Sequence, residues 1–325
     1  MRKIATVNGT ADSDKLGMTL IHEHFLYGFA GYTGDTTLGG FDRDKAMKDC
    51  IEAIQLAQST GVQTIVDATT NECGRDVRFL KELQQKTGVN IICSTGYYFE
   101  AESAYAYWHF REKQTDIRAE IKDMYVKELT EGIGGTDIRA GVIKLASSFN
   151  TISPMEENFF RAAGRAQKET GCNIITHTQL GTMGPEQAEM LISEGADPAR
   201  IAIGHMCGNT DIGYHKKVLE QGVYINLDRF GLEGALFSTP TDWQRVDLIE
   251  ELLDAGYEDR IMLGQDSVIC QLGRENVMND IMQEAMANAN IGNLGNRVVP
   301  EMRRRGIPES TINRFFIDNP GRFFG

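Results

Sequence analysis

The sequence predicts an α/β chain folded as a (β/α)8 barrel, and three observations carry that prediction. Eight short apolar runs rich in β-branched residues recur at a regular beat over 325 residues. They read as continuous rather than alternating runs, the pattern of strands buried on both faces of a parallel sheet. Amphipathic segments separate them, and most end at glycine, the residue that closes a helix in the left-handed conformation. An open doubly wound sheet is the rival arrangement, but no GxGxxG follows the first run and no GxxxxGK[ST] occurs. Nucleotide phosphate binding therefore lacks its usual signal.

The first four strands are expected over Met18–His22, Val62–Ala68, Val89–Thr95 and Ile138–Ala146. The beat continues at Cys172–His177, Arg200–His205, Val223–Leu227 and Arg260–Asp266. Helices are expected over Arg43–Thr60, Asp76–Gly88, Ile117–Gly132, Met155–Gly171, Pro185–Gly195 and Asp242–Gly256. The longest irregular stretches, Phe25–Phe41, Phe99–Thr115, Asp228–Asp242 and Val268–Val299, each follow the C-terminal end of a strand. A barrel builds its active site there. No repeat, low-complexity tract or linker interrupts the pattern, so one domain over residues 1–325 is expected.

Composition narrows the partners. Lys and Arg number 33 against 46 Asp and Glu, a net charge of −13. Such a surface repels phosphate backbones and anionic lipid, so neither nucleic acid nor membrane is an expected partner. No stretch approaches the ~18 apolar residues of a membrane span. The N-terminus turns polar at Asn8-Gly9-Thr10 before a secretory core could form. Six scattered cysteines show no CxxC spacing and read as small buried hydrophobes. A cytoplasmic protein is the expectation.

The chemistry is expected at the strand ends. His22 and His24 flank Glu23, so a period of two aims both rings at one face. His177 ends the fifth strand, His205 the sixth and Asp266 the eighth. A lone histidine at a strand end is usually structural. Four of them with an aspartate on one rim form a constellation that suits Zn, Mn, Fe or Co. Lys144 lies within the apolar run Ala140–Ala146, where a lysine is expensive to bury. It either reaches solvent or an acid at the strand end, or adds CO2 and becomes a carbamate able to bridge two cations.

Other features receive plainer readings. Met278, Met282 and Met286 recur every four residues and are expected to pack on the barrel. Arg303–Arg305 reads as a solvated helix face. Tyr105, Tyr107, Trp108 and Phe110 fit the pocket mouth or a dimer surface, with a homodimer as the expected assembly. Asp211 is a candidate to orient His205.

Taken together, His22-Glu23-His24, Val142-Ile143-Lys144, Thr176-His177-Thr178, Gly204-His205 and Gln265-Asp266 resemble the phosphotriesterase family of the amidohydrolase superfamily. The resemblance spans nearly the whole chain, through Asp318–Phe324. Leu227-Asp228-Arg229-Phe230-Gly231-Leu232 and Thr95-Gly96-Tyr97-Tyr98 are similar to the phosphotriesterase-like lactonase branch, with Tyr98 at the position of its tyrosine.

The resemblance implies a barrel with two divalent metals, usually zinc. His22, His24 and Asp266 would hold the buried ion and His177 and His205 the exposed one, with carboxylated Lys144 and a hydroxide between them. It implies opening of a lactone or ester, with promiscuous cleavage of organophosphate triesters. Asp266 would accept the proton of the attacking water and pass it to the leaving group or out through His205. Tyr98 would donate to the substrate oxygen. Arg229 would hold the substrate's polar end or anchor its loop. Two departures bear on the substrate: Gly264-Gln265 before and Ser267 after Asp266, and the acids Glu100 and Glu102 in the third loop. The alternatives are a hydrolase of another carboxylate or phosphate ester, and a metal-binding protein without turnover.

Overall fold

Strands without a polar face must be covered on both sides, and the chain does this by wrapping a sheet around one apolar filling and helices around the sheet. The computed structural model describes residues 2–234 and 238–325. An N-terminal antiparallel pair, β1 (Lys3–Thr6) and β2 (Gly9–Asp12), precedes the main sheet. The sheet strands are β3 (Met18–Tyr27), β4 (Val62–Asp67), β5 (Asn90–Gly96), β6 (Val142–Lys144) and β7 (Asn173–Ile175). They continue with β8 (Ile201–Ile203), β9 (Tyr224–Leu227), β10 (Ile261–Leu263) and β11 (Val268–Gln271).

These nine strands pair in parallel in the order β10-β9-β8-β7-β6-β5-β4-β3-β11. Because β10 and β11 belong to one short segment, the last strand returns to the first. Asp266 N–H donates to His22 O at 3.0 Å and His24 N–H to Ser267 O at 2.9 Å across that seam. The sheet is thereby curled into a TIM-like (β/α)8 arrangement.

Helices α1 (Arg43–Gln58), α2 (Val77–Thr87), α3 (Ala106–Arg111), α4 (Ile117–Thr130), α5 (Pro154–Thr170) and α6 (Gly184–Ser193) cover the first half. They are followed by α7 (Ile212–Leu219), α8 (Asp242–Asp254), α9 (Asp280–Ala285), α10 (Val299–Arg304), α11 (Glu309–Asn313) and α12 (Asn319–Phe324). Local chemistry starts them where expected. Asp76 accepts from Arg78 and Phe79 N–H at the head of α2, and Ser153 and Glu156 form a capping box that spans Pro154 at the head of α5.

The inner filling is Ile21, Val66, Ile92, Val142, Ile175, Ala202, Tyr224 and Met262, joined by Ile4 from β1 and Phe323 and Phe324 from α12. The larger core lies outside the sheet, where Ile65, Ile91, Ile143, Ile174, Ile203, Ile225 and Leu263 meet the helices. Among the described residues, no helix is long and apolar enough to cross a membrane.

Several expectations need correction. The fourth run yields only Val142–Lys144 as strand, and the eighth stops at Leu263. The third loop contains α3, and the last contains β11 and α9. The methionines do not form one helix face packed on the barrel: α9 covers only Asp280–Ala285, Met282 is 37% exposed, and of the three Met286 borders the cavity at the strand ends. Arg303, Arg304 and Arg305 are not simply solvated, since each pairs with an acid among Glu309, Glu301, Asp247 and Glu250. Tyr105 and Trp108 are buried against Phe159, leaving Tyr107 and Phe110 exposed.

Candidate metal centre

Two short strands end in the same unusual way. β8 and β10 each stop after three residues, and His205 and Asp266 then take positive φ values of 55° and 54°. Non-glycine residues adopt this region at a cost of about 1–3 kcal/mol, typically where a site demands it. The residue before His205 must be glycine for another reason. A Cβ on Gly204 would lie 1.9 Å from Thr176 O. Glu23, between the two histidines of β3, holds the other turn: its buried carboxylate accepts from Gln265 and Ser267 N–H, both at 2.9 Å. Burial pushes Glu23 up to about 8 despite these hydrogen bonds.

The rings are aimed by their outer nitrogens. Asp228, fully buried, receives His22 Nδ1 at 2.8 Å on one oxygen and His205 Nδ1 at 2.9 Å on the other. His24 Nδ1 lies 2.9 Å from Thr69 Oγ1, whose hydroxyl donates to Leu26 O. With each Nδ1 donating, the three Nε2 atoms carry lone pairs. Those atoms face Asp266: His24 at 3.1 Å, His22 at 3.3 Å and His205 at 3.6 Å. Lone pairs converging on a carboxylate repel one another unless a cation lies among them. The donor set of imidazole nitrogen and carboxylate oxygen therefore fits a divalent metal, and ligand atoms of His22, His205 and Asp266 all lie within 4.8 Å of one another.

Lys144 is buried beneath this group, with Nζ 3.1 Å from His22 Nε2 and 3.2 Å from Thr176 O. It does not reach solvent, and burial lowers its amine to about 8. His177 stands one step aside. Its ring meets that of His205 edge-on at 4.4 Å, and its Nε2 is 2.6 Å from Gln179 Oε1. Tyr98 packs edge-on against His177 at 5.0 Å, and its backbone N–H donates to Glu72 at 2.7 Å. Arg229 does not stand free: its Nε donates to Asp266 Oδ2 at 3.0 Å.

Burial opposes ionisation of Asp266, but His205, His22, His24 and Arg229 outweigh it and hold the carboxyl well below its usual range. Burial also lowers His22, to about 3. A cavity of about 180 Å³ opens above these residues, walled by Tyr27, Phe29, Leu232, Val268 and Met286.

The structure thus brings together His22, His24, Lys144, His205 and Asp266, with His177, Tyr98 and Arg229 around them. Asp211 is not the partner of His205. It caps α7 through Gly213 and Tyr214 N–H, and the partner is Asp228. Glu100 turns away from the cavity to His109 and Ser153. Sequence reasoning missed Asp228, Glu23, Thr69 and Gln179. Only Asp228 carried a signal, being the residue directly after the seventh apolar run.

Histidines and an aspartate gathered at strand ends of a TIM-like fold define a metal-dependent hydrolase. The chain belongs to the phosphotriesterase family, whose description matches residues 2–324. It is 33% identical over 314 residues to the aryldialkylphosphatase of Saccharolobus solfataricus, covering 96% of each chain. Among solved structures, the organophosphorus hydrolase of Deinococcus radiodurans is similar at 48% identity and a TM-score of 0.97, covering 99% of this chain and 97% of that one. A mutant of a Deinococcus radiodurans PTE-like lactonase is also 48% identical, with a TM-score of 0.97 over 99% of this chain and 100% of that one.

Proposed function

We propose that this chain, as one domain and in a homodimer, hydrolyses lactones with promiscuous activity on organophosphate triesters. It would use two zinc-class divalent cations held by His22, His24, His177, His205, Asp266 and N6-carboxylated Lys144. The observation that carries the reading is the convergence of three Nε2 lone pairs on Asp266 above a buried Lys144. Two such cations would supply a water of near-neutral pKa and polarise a carbonyl or phosphoryl oxygen.

The chain's own residues do the rest. Asp266 is the carboxylate at the mouth of the group and takes the proton from the attacking water. His205, between Asp266 and Asp228, gives that proton a route outward. Tyr98 presents its hydroxyl to the substrate oxygen that gains charge, while Arg229 keeps Asp266 ionised. Phe29, Leu232 and Val268 seat the apolar part of the substrate and displace water. Support for the lactone comes from the similarity to a PTE-like lactonase. Tyr107 and Phe110, exposed and outside the cavity wall, suit a dimer surface.

The test is a panel of lactones, carboxylate esters and phosphate triesters offered to the zinc- and cobalt-loaded protein. The reading expects the highest kcat/KM on a lactone. A carboxylate or phosphate ester in first place would replace it with the ester reading, and no turnover at all would leave a metal-binding protein.

A further inference from the structure

Two thiols meet far from any role in the chemistry above. Cys50 on α1 and Cys270 on β11 are separated by 220 residues, yet their Sγ atoms lie 3.7 Å apart. Of the six cysteines, Cys270 alone is not fully buried. It borders a surface cavity of about 240 Å³ also lined by Phe41, Asp42, Lys45 and Asp49, which brings solvent up to this residue. Cys50 lies behind it, with Sγ 3.7 Å from Phe25 O.

We propose that Cys50 and Cys270 form a thiol pair that a hydroperoxide oxidises to a disulfide, tying α1 to the strand that closes the sheet. Cys270, as thiolate, attacks one peroxide oxygen; the O–O bond breaks, water or an alcohol leaves, and a sulfenic acid forms. Cys50 then attacks that sulfur, the S–O bond breaks, and hydroxide leaves with the Cys50 proton as water. The two thiols lose two electrons in total, and the peroxide gains them. The asymmetry of the pair suits these roles. The hydrogen bond from Cys50 draws the Cys270 thiol down against burial and Asp49, with help from Lys45, while Cys50 itself is pushed up.

Bond formation closes the sulfur gap by about 1.7 Å. That movement falls on β11, where Cys270 pairs with Leu26 and Val268 with His24. Val268 walls the catalytic cavity and its strand pairs with that of His24, so the tie acts next to the site although neither sulfur belongs to it. A disulfide closing so long a loop restrains the unfolded chain, and the oxidised protein is expected to melt about 5 °C higher.

The experiment treats the reduced, metal-loaded protein with one to two equivalents of hydrogen peroxide, then alkylates, denatures and maps it by mass spectrometry. The expected result is a loss of about 2 Da and a single linked peptide pair carrying Cys50 and Cys270. Cys50→Ala should stall at a Cys270 sulfenic acid that dimedone traps, and Cys270→Ser should leave Cys50 reduced. Unchanged thiols, a link between other cysteines, or over-oxidation of Cys270 in the unsubstituted protein would each overturn the proposal.

Discussion

Asp228 grips His205 twice with one oxygen: Oδ1 accepts the backbone N–H at 2.7 Å and the ring Nδ1 at 2.9 Å. Its other oxygen takes His22 Nδ1, so one buried carboxylate sets two rings, one on β3 and one just after β8. Asp228→Ala should therefore weaken metal binding about 10–100-fold, the usual cost of losing a ligand's outer partner. Asp228→Asn should fall in between, because its amide accepts on one side only. Competition against a chelator measures both, and an unchanged affinity in Asp228→Ala would remove Asp228 from the site.

Asp266→Asn keeps an oxygen facing the histidines but loses the proton acceptor. The variant should retain much of its metal and lose about 10²–10⁴-fold in kcat. Steady-state kinetics with metal content measured on the same sample separates the two effects. A near-normal kcat would take Asp266 out of the proton path.

Tyr98→Phe deletes one hydroxyl and keeps the ring against His177. Lactone kcat/KM should fall more than that for an aryl phosphotriester, whose good leaving group needs less help. A well-formed hydrogen bond to developing charge contributes about 2.7–4 kcal/mol, and Tyr98, at a cavity wall, should contribute less. Equal losses on the two substrates would give the tyrosine a structural role instead.

How much of this was legible beforehand follows from range. His22, His24, His177, His205 and Asp266 were visible because a strand announces its own end, where an apolar run meets a polar residue. Lys144 was visible as an anomaly inside such a run. Glu23 was not, because its partners are the backbone N–H groups of Gln265 and Ser267 on the far side of the seam. Thr69 likewise acts through a contact 45 residues away in the chain, whereas Gln179 lies two residues from His177 but in a turn whose direction the strand pattern does not give. Asp211 misled because nearness in sequence to His205 was read as nearness in space, whereas that residue satisfies the head of α7. The pair β1 and β2 escaped notice because four-residue strands carry little pattern, although Ile4 is part of the inner filling.

The acid side of the stability profile has a specific contributor. Glu301 on α10 pairs with Arg304 and Arg305 at 2.6 and 2.8 Å, and those hydrogen bonds lower its carboxyl to about 2. A depressed carboxylate stabilises the fold above its unfolded value of about 4.3 and loses that contribution as pH falls through the folded value. The Tm difference between the unsubstituted protein and Glu301→Gln should thus be constant above about pH 5 and shrink as pH falls toward 2. A difference that grows on acidification would contradict the pairing.

The central claim is that Lys144, as a carbamate, completes a site for two cations. Counting metal per chain by mass spectrometry in the unsubstituted protein and in Lys144→Ala tests it most directly. The former should hold two ions, and the latter fewer than two with almost no turnover and partial recovery when a short carboxylic acid is added. Lys144→Ala that kept two ions and full activity without added acid would contradict it.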